Sequence, residues 1–137
     1  MHRILLTILF SISLFAENLL GRLEVGMQAP EWIFKDANGK DFTMDSLEGK
    51  ILKIDYIDPD KYQMNEPFND ELKKLVVVDS LISWDKFGGF GIVDCASTWI
   101  PDFLIRKIAG NKARKFDSTI LFDYDAKLRT SWGLKKK

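Results

Sequence analysis

The stretch Ile51-Leu52-Lys53-Ile54-Asp55-Tyr56-Ile57, closed by Asp58-Pro59-Asp60, decides how the rest of the chain is read. Its β-branched, apolar and aromatic content suits an interior strand, and Pro59, which has no backbone donor, punctuates its end. The pattern then changes period. From Glu66 or Pro67 the apolar residues Phe68, Leu72, Leu75 and Val76 recur at helical spacing, and the helix extends toward Ile82 although Val76-Val77-Val78 dilutes its propensity. Gly88-Gly89 breaks the chain before Phe90-Gly91-Ile92-Val93-Asp94, a second short strand. Pro101 opens a second helix, with Phe103, Leu104, Ile105, Ile108 and Ala109 as its apolar face, and Thr119-Ile120-Leu121-Phe122-Asp123 is a third strand. Strands alternating with helices predict an α/β sheet with parallel crossovers.

Upstream of that unit the sequence predicts a hairpin. Trp32-Ile33-Phe34-Lys35-Asp36 and Asp41-Phe42-Thr43-Met44 are joined by Ala37-Asn38-Gly39-Lys40, where Asn and Gly tolerate positive φ. Pro30 keeps its approach extended. Asp45 or Ser46 is expected to cap one short helical turn that Gly49 stops. At the other end, Tyr124-Asp125-Ala126-Lys127 reads as a turn before Trp132-Gly133-Leu134.

The N-terminus reads as an address. Met1-His2-Arg3 is a basic head, residues 4–15 form an apolar run too short to anchor in a bilayer, and Ala16 precedes polar Glu17. That pattern predicts a signal peptide over residues 1–16 and export to a bacterial periplasm. A short lead over residues 17–24 and one domain over residues 25–137 remain.

Composition narrows the chemistry. The chain of 137 residues has 20 basic and 20 acidic side chains, 46% hydrophobic residues and a single cysteine, Cys95, so it is neither disordered nor a disulfide scaffold. One Cys and one His, His2, cannot build a zinc site, and no metal or other cofactor is expected. Asp55, Asp58, Asp60 and Glu66 could be drawn as a calcium site, but the spacing lacks the glycine turn and terminal glutamate of an EF-hand loop, and such residues more often cap helices. Asp94 and Asp102 flank Pro101 in the same way. Gly88-Gly89-Phe90-Gly91 lacks the lysine and helix of a phosphate loop. The charges are unevenly spread: residues 17–103 hold 9 basic and 17 acidic side chains, residues 104–137 hold 10 and 3. Either the two parts attract each other, or Arg106, Lys107, Lys112, Arg114 and Lys115 form a face for an anionic partner. Trp32, Trp84, Trp99 and Trp132 are scattered, so nucleic acid is not an expected partner.

Three segments together carry a family resemblance. Val25-Gly26-Met27-Gln28-Ala29-Pro30-Glu31-Trp32, then Asp36-Ala37-Asn38-Gly39-Lys40, then Leu47-Glu48-Gly49-Lys50-Ile51-Leu52, resemble the entry of thioredoxin-fold proteins of the TlpA and peroxiredoxin type. The Ile54-Asp55-Tyr56-Ile57 strand without a downstream Cys-x-x-Cys, Gly91-Ile92-Val93-Asp94-Cys95 leading into Trp99-Ile100-Pro101, and Phe122-Asp123 with Trp132-Gly133-Leu134 are most similar to the YtfJ-like periplasmic proteins. The resemblance spans residues 25–134. It implies a thioredoxin-like α/β fold, a mixed central sheet entered by a hairpin and flanked by helices.

Redox members place their cysteines just past the first central strand, where a helix N-terminus favours the thiolate. Here Asp58-Pro59-Asp60-Lys61-Tyr62-Gln63 occupies that place, so dithiol exchange has no side chains to run on. No catalytic residue is therefore expected, and the chain reads as a binding or accessory module with a periplasmic protein as partner. The alternative is single-thiol or peroxide chemistry at Cys95, the one nucleophile candidate. The resemblance also implies a cis-proline hairpin beyond Trp132-Gly133-Leu134. Its absence before Lys137 predicts a truncated sheet, with the edge of Thr119–Asp123 exposed and prone to self-association.

Overall fold

The computed structural model describes residues 22–81 and 83–135. Residues 1–16, where the sequence predicts a signal peptide, most of the expected lead over residues 17–24, and Ile82 lie outside the described residues. The order of elements is β1 (Ile33–Asp36), β2 (Asp41–Thr43), β3 (Ile51–Ile57), α1 (Glu66–Lys73), β4 (Phe87–Asp94), α2 (Asp102–Lys115), β5 (Thr119–Asp123) and α3 (Lys127–Ser131). Two compact units result. One comprises Glu31–Lys127; the other includes residues 22–30 and 128–135.

In the larger unit one mixed sheet runs β2-β1-β5-β4-β3. β3, β4 and β5 are parallel, in the register Ile57 to Val93 and Val93 to Phe122. β1 is antiparallel to both β2 and β5. The hairpin forms where the sequence places it: Gly39 takes φ +83°, and Asp36 accepts hydrogen bonds from the amides of Asn38 and Lys40 at 2.9 and 2.8 Å. Alternation along the strands sends Phe34, Phe90, Ile92 and Leu121 to one face. There Trp32 stacks on Phe34 and Phe42 with ring centroids 5.3 and 6.3 Å apart. The opposite face carries Val93 and Phe122, which pack with Ile105 of α2 and with Cys95. Ile92, Leu121 and Phe122 are essentially inaccessible, so the core lies under the central strands.

Several expectations are corrected. β3 is an edge of the sheet and β5 is interior, held between β1 and β4. The expected exposed edge at Thr119–Asp123 therefore does not exist, and Phe122 is 1% exposed. Apolar content alone does not rank strands within a sheet; β5 is central because the hairpin adds to its far side. Gly88-Gly89 lies inside β4, where Gly88 pairs with Leu52 and leaves room for its side chain. α1 ends at Lys73 and widens into a π-helical turn, Lys74–Val78, at the β-branched run. Phe68 and Leu75 point to solvent, as do Phe103, Leu104 and Ile108 of α2, while Val76 and Ile105 are buried. The short turn Met44–Leu47 is preceded by Thr43 rather than capped by Asp45 or Ser46, and Ser46 Oγ donates to the Thr43 carbonyl at 2.9 Å.

In the smaller unit, the Leu23 amide donates to the Trp132 carbonyl at 3.0 Å, and Trp132 Nε1 donates to the Pro30 carbonyl at 3.3 Å. Gly133, at φ +61°, lies against the backbone of Arg22, where a Cβ would meet its Cα at 2.6 Å. Among the described residues no helix is long and apolar enough to cross a membrane.

Candidate functional site

Because β3, β4 and β5 are parallel, their carboxyl ends lie side by side, and this is the edge where open α/β sheets bind ligands. β3 leaves the sheet into Asp58. The Asp58 side chain accepts from the Asp60 amide at 2.9 Å, and its carbonyl accepts from the Lys61 amide at 3.0 Å, which caps the 3-10 turn Pro59–Asn65. Asp60 accepts from Thr98 Oγ1 at 3.0 Å, tying the turn to the segment that follows β4. Asp55 is ion-paired with Lys53, and Glu66 lies in the first turn of α1. The four acidic residues are thus separately engaged. Among the described residues no group of three or more His, Cys, Asp or Glu is placed to hold a metal ion.

Cys95 follows β4 directly and is 3% exposed. Its thiol donates to the Val93 carbonyl at 3.7 Å and packs with Val93, Ile105 and Phe122. Burial raises its pKa from 9.0 to about 12, and the charges of Asp102, Asp123 and Asp94 add to that rise. Such a sulfur stays protonated at neutral pH, whereas the nucleophile is the thiolate. Burial also raises the neighbouring Tyr124 phenol, a rise that the Arg106 charge partly offsets, and the Tyr124 ring stacks on Phe122 at 6.1 Å.

Two buried carboxylates at this edge were missed by sequence reasoning as a pair. Asp94 and Asp123 end β4 and β5 as register neighbours, 4% and 1% exposed. Tyr56 Oη donates to Asp123 Oδ2 at 3.0 Å, and the Lys127 amide donates to Oδ1 at 2.9 Å, so one carboxylate joins the ends of β3 and β5 to the start of α3. The signal was present as a repeat: Ile92-Val93-Asp94 and Leu121-Phe122-Asp123 both close an apolar strand with aspartate.

Below this edge a cleft of about 610 Å³ opens on the helical face of the sheet, lined by Ile57, Tyr62, Ile105, Ile108, Lys112 and Phe116 among others. Lys112 Nζ stands 3.5 Å from the centre of the Tyr62 ring, a cation–π contact. Arg106, Lys107, Arg114 and Lys115 are exposed along α2. Together with Lys112 they form no ion pair among the described residues, so the uneven charge is not neutralised by direct pairing. Of the tryptophans, Trp32 is buried and Trp99, just before α2, is 89% exposed. The Trp84 side chain lies outside the described residues.

No protein-family model matches the chain, and no curated protein does. Solved structures do. The thioredoxin domain of a thiol-disulfide oxidoreductase from Bacteroides vulgatus superposes with a TM-score of 0.60 at 14% identity, over 83% of this chain and 76% of that one. A candidate protein disulfide isomerase from Bacteroides thetaiotaomicron gives 0.56 at 22% identity, over 82% and 65%. DsbF of MTB gives 0.55 at 17%, over 80% and 76%. The chain spans just under two thirds of the disulfide isomerase. The likeness is one of fold: this chain has a thioredoxin-like fold, as its sequence predicts.

Proposed function

We propose that the protein is an exported thioredoxin-fold module of the YtfJ-like type that binds or assists another periplasmic protein and performs no dithiol chemistry. One observation carries this reading. The turn after β3, where the family resemblance implies the redox cysteines would sit, is built from Asp58, Pro59 and Asp60. Fold likeness supplies an architecture, and function must come from the site. The site offers a capped acidic turn, an exposed Trp99 and an apolar cleft, a surface suited to contact with another molecule. Export rests on the pattern of residues 1–16. N-terminal sequencing of exported material is expected to begin at Glu17 or within a few residues of it, and recovery of Met1 in the membrane fraction would overturn that part.

Single-thiol chemistry at Cys95 is the competing reading. Its burial and the three surrounding carboxylates weigh against it. Insulin reduction driven by dithiothreitol is the test. No turnover above the uncatalysed rate is expected, because one thiol cannot close an intramolecular disulfide and release a mixed one. Turnover that disappears with Cys95→Ser would overturn the proposal.

A further inference from the structure

The inner stripe of α2 faces the sheet. Ile105 is buried with Val93 of β4 and Phe122 of β5, so the helix lies over the two strands that β1 and β3 enclose. Both flanks are occupied as well. Gly110 sits so close to the hairpin turn that an added Cβ would meet the Ala37 Cβ at 3.0 Å, and on the other side Lys112 reaches the Tyr62 ring. The remaining face turns away from the sheet. At about 100° per residue it carries Phe103, Leu104, Lys107, Ile108, Arg114 and Lys115, all exposed.

This outer face combines two chemistries. Trp99, 89% exposed, stands just before the helix and Phe116, 66% exposed, just after it, so an aromatic side chain marks each end of a rod of about 21 Å. From Trp99 to Phe116 the chain holds five basic residues and one acidic, Asp102. Arg106 acts on Tyr124 and Lys112 on Tyr62, whereas Lys107, Arg114 and Lys115 have no acidic partner among the described residues. Three basic side chains are therefore available among exposed apolar ones.

The way the two kinds alternate selects the partner. In protein–protein interfaces charge is depleted from the core, and lysine in particular is scarce. Here Phe103-Leu104, Lys107-Ile108 and Arg114-Lys115-Phe116 interleave both kinds along one face, with no apolar centre and charged rim. A bilayer surface accepts such interleaving because it is graded in depth. Apolar side chains enter the boundary between headgroups and acyl chains, while lysine and arginine stems return their charge to the phosphates. Tryptophan is enriched at that same level.

We infer that the outer face of α2 is a membrane-docking surface and that its occupant is a bilayer bearing anionic phospholipid, with the helix lying flat, Trp99 and Phe116 inserted at its ends, and Lys107, Arg114 and Lys115 on the headgroup phosphates. The chain's formal charge is zero, so the placement of charge draws it there rather than its sum. This attachment gives the molecule a second partner beyond the proposed protein one, and it needs no residue of the turn after β3.

The test is partition of the full chain onto phosphatidylcholine vesicles with and without one third phosphatidylglycerol, measured by co-sedimentation and by tryptophan emission. Wild type is expected to prefer the anionic vesicles by about tenfold or more, and to lose that preference in about 1 M sodium chloride, where the Debye length is about 3 Å. The triple variant Lys107→Gln, Arg114→Gln, Lys115→Gln is expected to bind the anionic vesicles about a hundredfold more weakly, at roughly fivefold per charge, with unchanged far-UV circular dichroism. Lys40→Gln, Lys50→Gln, Lys73→Gln removes the same charge from exposed positions elsewhere and is expected to leave binding within about threefold of wild type. Quenching by brominated lipid is expected in wild type and lost in Trp99→Phe, whatever other segment touches the bilayer. Equal partition onto the two vesicle types, equal weakening by the two triple variants, or quenching that survives Trp99→Phe overturns the inference. Capture by polyglutamate without binding to anionic vesicles would assign the face to an acidic polypeptide and overturns it too.

Discussion

Tyr56→Phe removes one hydroxyl and leaves the ring, so it isolates the bond that joins the end of β3 to the buried carboxylate ending β5. Tyr56 Oη and Asp123 Oδ2 are 3.0 Å apart, and Asp123 is 1% exposed, so the acceptor loses a donor where little water can replace it. A hydrogen bond to a group of this kind contributes about 1 to 3 kcal/mol once solvent exchange is counted. For a chain of this size that corresponds to a fall in Tm of roughly 3 to 5 °C per kcal/mol. Asp123→Ala is expected to cost more, because it also removes the acceptor of the Lys127 amide, 2.9 Å away, that anchors the start of α3. In a double-mutant cycle, Tyr56→Phe should add little once Asp123 is already alanine. Urea unfolding followed by far-UV circular dichroism measures all three variants. Tyr56→Phe within about 0.5 kcal/mol of wild type, or full additivity in the cycle, would refute the claim that this bond carries the junction.

Phe122→Ala empties a 1% exposed position between β5 and α2 and is expected to cost about 3 to 5 kcal/mol in the same urea titration; a loss under 1 kcal/mol would mean that the core lies elsewhere. Stability is also expected to fall as pH rises from about 9 toward 12. The folded thiol of Cys95 keeps a proton that the unfolded chain releases near 9.0, so the unfolded state binds fewer protons and gains with pH across that window. Cys95→Ala should remove that part of the slope, and an unchanged slope in the variant would show that the thiol is not held as described.

How far the sequence could be read followed the range of the forces involved. The Asn38-Gly39 turn is local: it needs only two residues that accept positive φ, and the hairpin formed where it was expected. β3 and β5 were equally visible as strands, since apolar and β-branched runs declare themselves within a few residues. Their rank in the sheet was not visible, because it depends on the hairpin adding beside β5, a contact between residues 36 and 121. Phe68, Phe103 and Ile108 belong to helical apolar repeats yet face outward, because such a repeat identifies a stripe without naming what covers it. The role of Asp123 is illegible in the sequence for a related reason. A buried carboxylate makes sense only with its partner, and Tyr56 lies 67 residues earlier in the chain. Cys95, which follows the Phe90–Asp94 run directly and has no His or second Cys to work with, reads from sequence as a packing residue at the carboxyl end of β4, and Ile105 and Phe122 close over it.

The central claim, that this thioredoxin-like fold runs no thiol chemistry, is tested most directly by intact-mass spectrometry after dilute hydrogen peroxide in the presence of a sulfenic-acid trap such as dimedone. The buried, protonated thiol predicts an unmodified Cys95 under native conditions and a trapped adduct only after unfolding in urea. A trapped adduct on the native protein, formed as quickly as on the unfolded chain, would contradict it.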